Sequence, residues 1–167
     1  MIGLDVKKVI EKRRSIRKFH EGTINDEQLQ ILMKAAQLAP SASNRQPYKF
    51  IIVKDRGLMK ELSRKASIQR FIIKAAVIFV GIGNPEHEKW YKVDIAIAIQ
   101  QIYLQAVELG LGACWIGAFD EEKAKEVLKV PESMNIVALL PIGIPAEDPP
   151  ARPRKSFEEL FCINYYK

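Results

Sequence analysis

The 167-residue sequence has few of the residues that metal centres and disulfide scaffolds require. It contains only two cysteines, Cys114 and Cys162, only two histidines, and no Cys-x-x-Cys pair. This argues against a zinc site and against a disulfide-rich secreted domain. Both cysteines lie in apolar surroundings, so we expect buried, reduced thiols and a cytoplasmic location. His20 and His87 lie in polar stretches and are expected in surface loops.

The sequence also lacks the short motifs of common nucleotide and hydrolase sites. It has no G-x-S-x-G, no P-loop and no paired-carboxylate motif, and its first residues include no long apolar run typical of a signal peptide. Residues 93–109 are strongly apolar, but four polar residues fall on one stripe of a helix, which favours a buried helix over a membrane span. Polar groups without an evident acid, base or nucleophile indicate that a cofactor performs the chemistry.

The composition, with 48% hydrophobic residues, predicts one folded domain over residues 1–167. We expect helices at 4–12, 26–39 (capped by Asn25 or Asp26), 55–66, 90–109 and 121–130, and strands at 50–53, 75–83, 113–119 and 135–144. Because these strands are apolar without alternation, the sheet should be covered on both faces. The last residues, FEELFCINYYK, are unusually apolar for a terminus, so they either pack on their own core or wrap around a partner subunit.

Basic residues are concentrated in two short segments. Residues 1–18 carry seven lysines and arginines against two acids, whereas the net charge of the chain is +6. Within RRSIRKF, residues 13–19, Arg13 and Arg17 would share one face if the segment were helical, and arginine's planar fork suits phosphate. A second basic group, Arg152 to Lys155, could meet the first on a single phosphate. A solvated surface and a nucleic-acid patch remain alternatives.

Two further segments have the character of a binding site. In APSASNRQPYKF, residues 39–50, four short polar side chains between prolines could recognise the edge of a heterocycle or a sugar chain, although a capped turn is the simpler interpretation. In GLGACWIGAF, residues 110–119, three glycines would let a flat or bulky group approach the backbone. This segment lacks the order of a dinucleotide fingerprint, and Trp115 on its own is more typical of a core.

These motifs together resemble the nitroreductase family of flavin oxidoreductases. RRSIRKF resembles that family's R-R/H-S-x-R/K-x-F, and APSASNRQPYKF resembles its A-P-S-x-x-N-x-Q-P-W-x-F, with Tyr48 where tryptophan is usual. GLGACWIGAF resembles its G-L-G-x-x-W-I/L-G segment, and the arginines before the last residues resemble its R/K-x-R close. The four motifs follow the family order and span nearly the whole chain, although the chain is short for the family.

The resemblance implies an α+β fold with a mixed, mainly antiparallel sheet flanked by helices. It implies a homodimer with FMN at the interface, in which an arm of residues 155–167 crosses to the partner and Pro40 to Gln46 reach the partner's flavin. Arg17 would lie near N1 and O2 of the flavin, where its charge would assist the chemistry. The cofactor-binding residues would be Arg13, Arg14, Ser15, Arg17, Pro40, Ser41, Ala42, Ser43, Asn44, Gln46, Trp115, Ile116, Gly117, Arg152 and Arg154.

The activity implied is an FMN-dependent oxidoreductase that takes hydride from NADH or NADPH and reduces nitroaromatics, quinones or similar acceptors by a ping-pong mechanism. Sibling chemistry, either reductive dehalogenation or flavin breakdown, is the alternative enzyme. No metal, nucleic acid or membrane is expected as a partner. The connection at 84–89 is only NPEHEK, so the flavin would have little covering lid, and Trp90 with Tyr91 is the candidate for its wall.

Overall fold

A computed structural model describes residues 5–166 and shows an α+β fold. The expected start of the first helix at residue 4 lies outside the described residues. The strands are β1 (Phe19–His20), β2 (Tyr48–Val53), β3 (Val77–Gly83), β4 (Gly112–Ala113) and β5 (Asn135–Pro145). The helices are α1 (Val6–Lys12), α2 (Asp26–Gln37), α3 (Arg56–Lys65), α4 (Tyr91–Glu108), α5 (Glu121–Leu128) and α6 (Phe157–Leu160). Short 3₁₀ turns lie at Ala42–Asn44 and Arg70–Lys74.

The sheet is organised around β5. Strand β3 pairs with one edge of β5, and β2 pairs with the far edge of β3, while β1 and β4 both pair with the other edge of β5. Within residues 5–166, all five strands are joined by antiparallel pairings, and the one parallel contact is an isolated bridge between Ser15 and Ala113. The α+β fold with a mainly antiparallel sheet is therefore confirmed.

Two apolar layers enclose the sheet, as the unbroken apolar strands predict. On one face, Val77 and Phe79 of β3 pack with residues from α2 and α4. On the other face, Ile78 and Val80 pack with residues from α3 and α5. This alternation follows from the two-residue period of a strand, so β3 contributes to both layers and carries no exposed residue.

Helix α4 lies directly against β3 because two glycines leave room for it. A Cβ atom on Gly81 would lie 2.6 Å from Ile95, and one on Gly83 would lie 2.7 Å from Tyr91. Eight of the helix's residues are buried, which confirms the predicted central helix. Within residues 5–166, no helix is both long and apolar enough to cross a membrane.

The predicted strand at 113–119 is wrong, and the cause lies in β5. The chain pairs with β5 at Gly112 and Ala113, and again at the single bridge between Ile116 and Leu139. Between these points the nitrogen of Cys114 donates to the carbonyl of Pro141 at 3.3 Å. Proline has no N–H to return that bond, so the ladder is interrupted there.

The last residues do not pack on the core of their own chain. Every residue from 151 to 166 is exposed, although α6 is a well-formed turn with a capping box between Ser156 and Glu159. Phe157 is 78% exposed and Ile163 is 84% exposed. Cys162 is also exposed, so the expectation that both cysteines are buried holds only for Cys114.

The short connection before α4 is anchored to the loop before β2. Glu88, only 5% exposed, accepts a hydrogen bond from Arg45 and another from the backbone nitrogen of Trp90 at 3.2 Å. Of the two residues expected to form a wall of the flavin site, Trp90 is exposed but Tyr91 is buried, and its hydroxyl accepts a hydrogen bond from Asn135. His87 is exposed in this connection as expected, whereas His20, also exposed, lies in β1 rather than in a loop.

Helix α3 offers a matched test of core packing. Met59 is fully buried, and its neighbour Lys60 is exposed. We expect Met59→Ala to lower the free energy of unfolding by about 2–5 kcal/mol, since it leaves a cavity. Lys60→Ala should change it by less than about 0.5 kcal/mol. Urea unfolding followed by circular dichroism measures both, and equal effects would contradict the described packing.

The Glu88 contact should make stability depend on pH. The hydrogen bond from Arg45, followed by that from the backbone of Trp90, lowers the pKa of Glu88 below its ordinary value of about 4.5. The stabilisation should therefore be complete above that value and disappear as pH falls through the lowered pKa. We expect Glu88→Gln to be less stable than the original chain at neutral pH, with the difference vanishing in acid.

The matched control for Glu88 is Glu86→Gln, because Glu86 is exposed in the same connection. For Glu86→Gln, we expect the urea midpoint to differ from that of the original chain by the same amount at every pH from neutral to acid. A Glu88→Gln difference that persists in acid would show that the carboxylate is not the source of the effect.

Candidate functional site

The two basic segments meet around one cavity of about 470 Å³. One wall is formed by the end of α1 and the residues after it, and the other by residues 149–154. Five arginines and one glutamate, Glu11, line it. The expectation that the two clusters meet is thus met, and the cavity has the charge of an anion site. The arginines are Arg13, Arg14, Arg17, Arg152 and Arg154.

The segment from 13 to 17 is extended rather than helical, so Arg13 and Arg17 do not share a helix face. Helix α1 ends at Lys12, and the nitrogen of Ile16 then donates to the carbonyl of Ala113 at 2.9 Å. Ile16 is buried against Gly112, where a Cβ atom would lie 2.8 Å away. In an extended chain alternate residues share a side, so residues 13, 15 and 17 still lie on one side.

Tyr103 of α4 holds this segment in place. Its hydroxyl lies 2.9 Å from the carbonyl oxygens of both Arg14 and Ala113, to which it can donate. It also accepts a hydrogen bond from the guanidinium of Arg13 at 3.3 Å, and that guanidinium lies 5.3 Å from the centre of the tyrosine ring. The buried tyrosine therefore fixes the backbone and one cation of the cavity together.

Arg14 folds back onto its own backbone. Its Nη1 donates to the carbonyl oxygens of Glu11 at 2.7 Å and Arg13 at 2.9 Å. Its Nε is buried and has no hydrogen-bond partner within residues 5–166. Buried donors are rarely left unpaired, so this atom marks a place where an acceptor from outside the chain would fit.

Glu147 holds the backbone at the far end of the arginine segment, at Arg17 and Lys18. Its Oε1 accepts hydrogen bonds from the backbone nitrogens of Arg17 and Lys18, the second at 3.1 Å. The carboxylate of Glu147 is thus hydrogen-bonded to backbone donors rather than to the Arg17 guanidinium. The exposed side chain of Arg17 lines the cavity and donates to the carbonyl of Ser15 at 3.4 Å. The positive charge of Arg17 remains available to a ligand.

Cys114 lies beneath this site but does not have the properties of a nucleophile. Burial raises the pKa of its thiol, and this outweighs the opposing influence of Arg17 and of the Ser15 side chain. The thiol is therefore protonated at neutral pH, whereas the thiolate is the reactive form. A group of three or more residues that could hold a metal ion is absent from the part of the chain that the structure describes.

The polar loop at 40–46 does not line this cavity. Its backbone is held from below, since the nitrogen of Ala42 donates to the buried carboxylate of Asp94 at 3.2 Å. Three of its residues, Ser43, Asn44 and Gln46, adopt positive φ of 50° to 54°, an uncommon conformation that marks a tightly specified loop. These three residues and Pro40 are exposed, whereas Ser41 and Ala42 are half-buried.

The adjoining Tyr48, at the start of β2, is influenced by the same carboxylate. Burial and then the negative charge of Asp94 raise the pKa of its phenol. The phenol therefore stays protonated over the physiological range.

The segment at 115–117 does not line the arginine cavity either. Trp115 is 37% exposed, while the side chain of Ile116 belongs to the core and its backbone exchanges hydrogen bonds with Leu139. Gly117 is exposed and borders a smaller cavity beside Asn135.

Sequence reasoning missed the residues that hold the site from within. Tyr103 lies in the apolar stretch that becomes α4, where a core role was the natural interpretation. Asp94 was counted with the polar stripe of that helix, but it is only 3% exposed. Glu147 lies in the irregular segment after β5 and carried no pattern. The available signal was Asp94 itself, since an ionisable residue in a buried helix needs a partner.

Several known proteins that are similar in sequence and structure are named nitroreductases. The Archaeoglobus fulgidus protein named NADH dehydrogenase/NAD(P)H nitroreductase is 33% identical over 84% of this chain and 86% of its own. An FMN-dependent nitroreductase from Clostridium difficile R20291 has a TM-score of 0.86 at 30% identity, over 94% of this chain and 98% of that chain.

A nitroreductase family protein from Clostridium novyi NT has a TM-score of 0.82 at 35% identity, over 86% of this chain and 87% of that chain. The sequence profile described as "Nitroreductase family" matches residues 10–69 and 58–144. The profile covers well over half of the chain, and its matches include the first three motifs. The chain therefore belongs to the nitroreductase family.

Proposed function

We propose that the protein is an FMN-dependent oxidoreductase that takes hydride from NAD(P)H and reduces nitroaromatics, quinones or similar acceptors. The observation that carries the proposal is the cavity in which five arginines from two distant segments converge. A protein of this family without an evident nucleophile depends on a cofactor for electron transfer. The relatives named NAD(P)H nitroreductase and FMN-dependent nitroreductase support the same assignment.

The residues present fit the phosphate of FMN. A phosphate monoester carries about −1.5 to −2 charges at neutral pH, and arginine binds it through two parallel hydrogen bonds. The buried Nε of Arg14 lacks an acceptor within the described residues, and the side chains of Arg13 and Ser15 lie on one side of the extended segment. Arg152 and Arg154 close the cavity from the opposite wall.

In this assignment bound FMN supplies two-electron transfer between the nucleotide and the acceptor. Arg13, Arg14 and Ser15 hold the phosphate and the ribityl chain, and Tyr103 keeps Arg13 in position. Arg17 places a positive charge beside the flavin's pyrimidine edge, where it favours the electron-rich form through electrostatics. The backbone from Trp115 to Gly117 would line the isoalloxazine ring.

The enzyme acts as a homodimer in this proposal, with FMN at the interface. Two exposed features support it, namely the polar loop at 40–46 and the apolar arm at 155–167, of which residues up to 166 are described. A contiguous apolar surface left open on one chain marks an interaction site. The loop would complete the partner's flavin site, and the arm would cover the partner's surface.

The nucleotide and the acceptor would use the same place in turn, which gives a ping-pong mechanism. Both have to reach the face of the flavin, and proximity with electrostatic stabilisation carries the catalysis. Glu88 anchors the short connection before α4, so no long lid lies there. An open site suits acceptors of varied shape. We assign the enzyme to the cytosol, where the buried thiol of Cys114 would stay reduced.

Flavin binding can be tested with Arg13→Ala/Arg152→Ala. The original protein should show flavin absorbance after addition of FMN. We expect the double variant to remain folded and to lose FMN affinity on the order of a hundredfold or more, since two charge-assisted contacts disappear. Arg64→Ala/Lys60→Ala removes the same charge from the exposed side of α3 and should leave the affinity unchanged. Unaltered FMN affinity in the Arg13→Ala/Arg152→Ala protein would show the phosphate assignment to be wrong.

The arm can be tested with Phe161→Ser/Ile163→Ser. Both side chains are mostly exposed in the single chain, so the fold of each subunit should survive. If the arm is buried against a partner, the dimer dissociation constant should rise on the order of a hundredfold or more. Glu158→Gln, on the same arm, serves as the control. Analytical ultracentrifugation gives the constant, and a dimer of undiminished strength would mean that the arm does not contribute.

A further inference from the structure

A second cavity, of about 610 Å³, adjoins the first. It lies between β1, the 3₁₀ turn at 70–74 and Ala146, which follows β5. Arg17 lines both cavities, so they meet at the residue assigned to the flavin's pyrimidine edge. The second cavity is therefore next to the proposed flavin site and is reached past Arg17 from the proposed phosphate site.

The second cavity is strongly basic. Five of the nine residues that line it are cationic or can become so, and none is acidic. These five are Arg17, Lys18, His20, Arg70 and Lys74. All are exposed. Within residues 5–166, the side chains of Lys18, Arg70 and Lys74 take part in none of the ion pairs. The carboxylate of the adjacent Glu147 is bound to the backbone nitrogens of Arg17 and Lys18, so the clustered positive charges favour a ligand with several negative charges.

The cavity also offers an aromatic surface. Phe71 is half-buried, and its ring centre lies 6.1 Å from that of the buried Phe19. A partly exposed ring fixed by a second ring is suited to stack against a flat base. A cavity with both features suits a phosphorylated nucleoside better than a simple inorganic anion.

We propose that this second cavity binds the adenosine end of NADPH, with the 2′-phosphate and the pyrophosphate between Lys18, Arg70 and Lys74. The inference rests on the proposed function, because it assumes that a nucleotide donates to a flavin beside Arg17. The donor's nicotinamide has to lie on the flavin ring. Its phosphates then extend past Arg17 to the side where this cavity opens. The added 2′-phosphate makes NADPH the preferred donor over NADH.

The spacing along the chain agrees with this arrangement. The residues from Ser15 to His20 lead from one cavity to the other. An extended segment of that length covers about 16 Å at roughly 3.3 Å per residue. A dinucleotide whose nicotinamide lies near Arg17 is long enough to bring its phosphates to the far end.

The test is Arg70→Gln/Lys74→Gln, which leaves Arg17 and the first cavity unchanged. Steady-state kinetics should show KM for NADPH raised on the order of tenfold or more. KM for NADH should rise by a clearly smaller factor, because NADH has the pyrophosphate but lacks the 2′-phosphate. Arg64→Gln/Lys60→Gln removes the same charge from α3 outside the cavity and should leave both values unaltered. Comparable changes for the two nucleotides, or a wild-type preference for NADH, would overturn the proposal.

A binding measurement separates this proposal from the proposed function. Adenosine 2′,5′-bisphosphate, added to the FMN-loaded protein, should bind with an affinity that Arg70→Gln/Lys74→Gln weakens and the α3 variant does not. Loss of FMN affinity in Arg70→Gln/Lys74→Gln would assign the cavity to the flavin and overturn the proposal. If the adenosine bisphosphate binds as expected but no NADPH is oxidised, the proposed function fails while the nucleotide site stands.

Discussion

Repulsion among clustered arginines is the constraint on which the rest of the site depends. Two like charges about 6 Å apart repel by about 3 kcal/mol at an effective dielectric constant of 20, and five arginines surround one cavity here. The fold offsets part of this cost locally. Arg13 contacts Tyr103, and Arg14 donates to two carbonyls. Glu11 and solvent offset a further part, and an anion in the cavity would offset it more strongly, which is why the residues favour a phosphate over a neutral ligand.

Helix α4 supports two separate parts of the functional surface. Asp94 holds the loop at 40–46, and Tyr103 holds the arginine segment. Nine residues separate them, which corresponds to about 13 Å along the helix and a rotation of about 180°. The loop and the arginine cavity therefore lie on opposite sides of one buried helix. In a dimer with FMN at the interface, this geometry would let one rigid element position parts of two different sites.

The sequence alone predicted the helices and strands that have a strong hydrophobic pattern. The unbroken apolar runs of β3 and β5 and the long α4 were predicted with bounds accurate to about two residues, because burial on both faces leaves a continuous signal. The strand at 113–119 was wrong because its partner carries Pro141, and a missing donor on one strand is invisible in the sequence of the other. The roles of Asp94 and Tyr103 depend on tertiary contacts across more than fifty and about ninety residues, respectively.

In the proposed dimer, the exposed arm and the basic cavities would be related consequences of a site that one chain does not complete. Residues 151–154 border the arginine cavity, and the arm begins directly after them, so any partner that orders the arm also restrains that wall. Ordering costs conformational entropy, and burial of the apolar arm would offset it. Cofactor binding and assembly would then stabilise each other, since each favours the same position of the segment that contains Arg152 and Arg154.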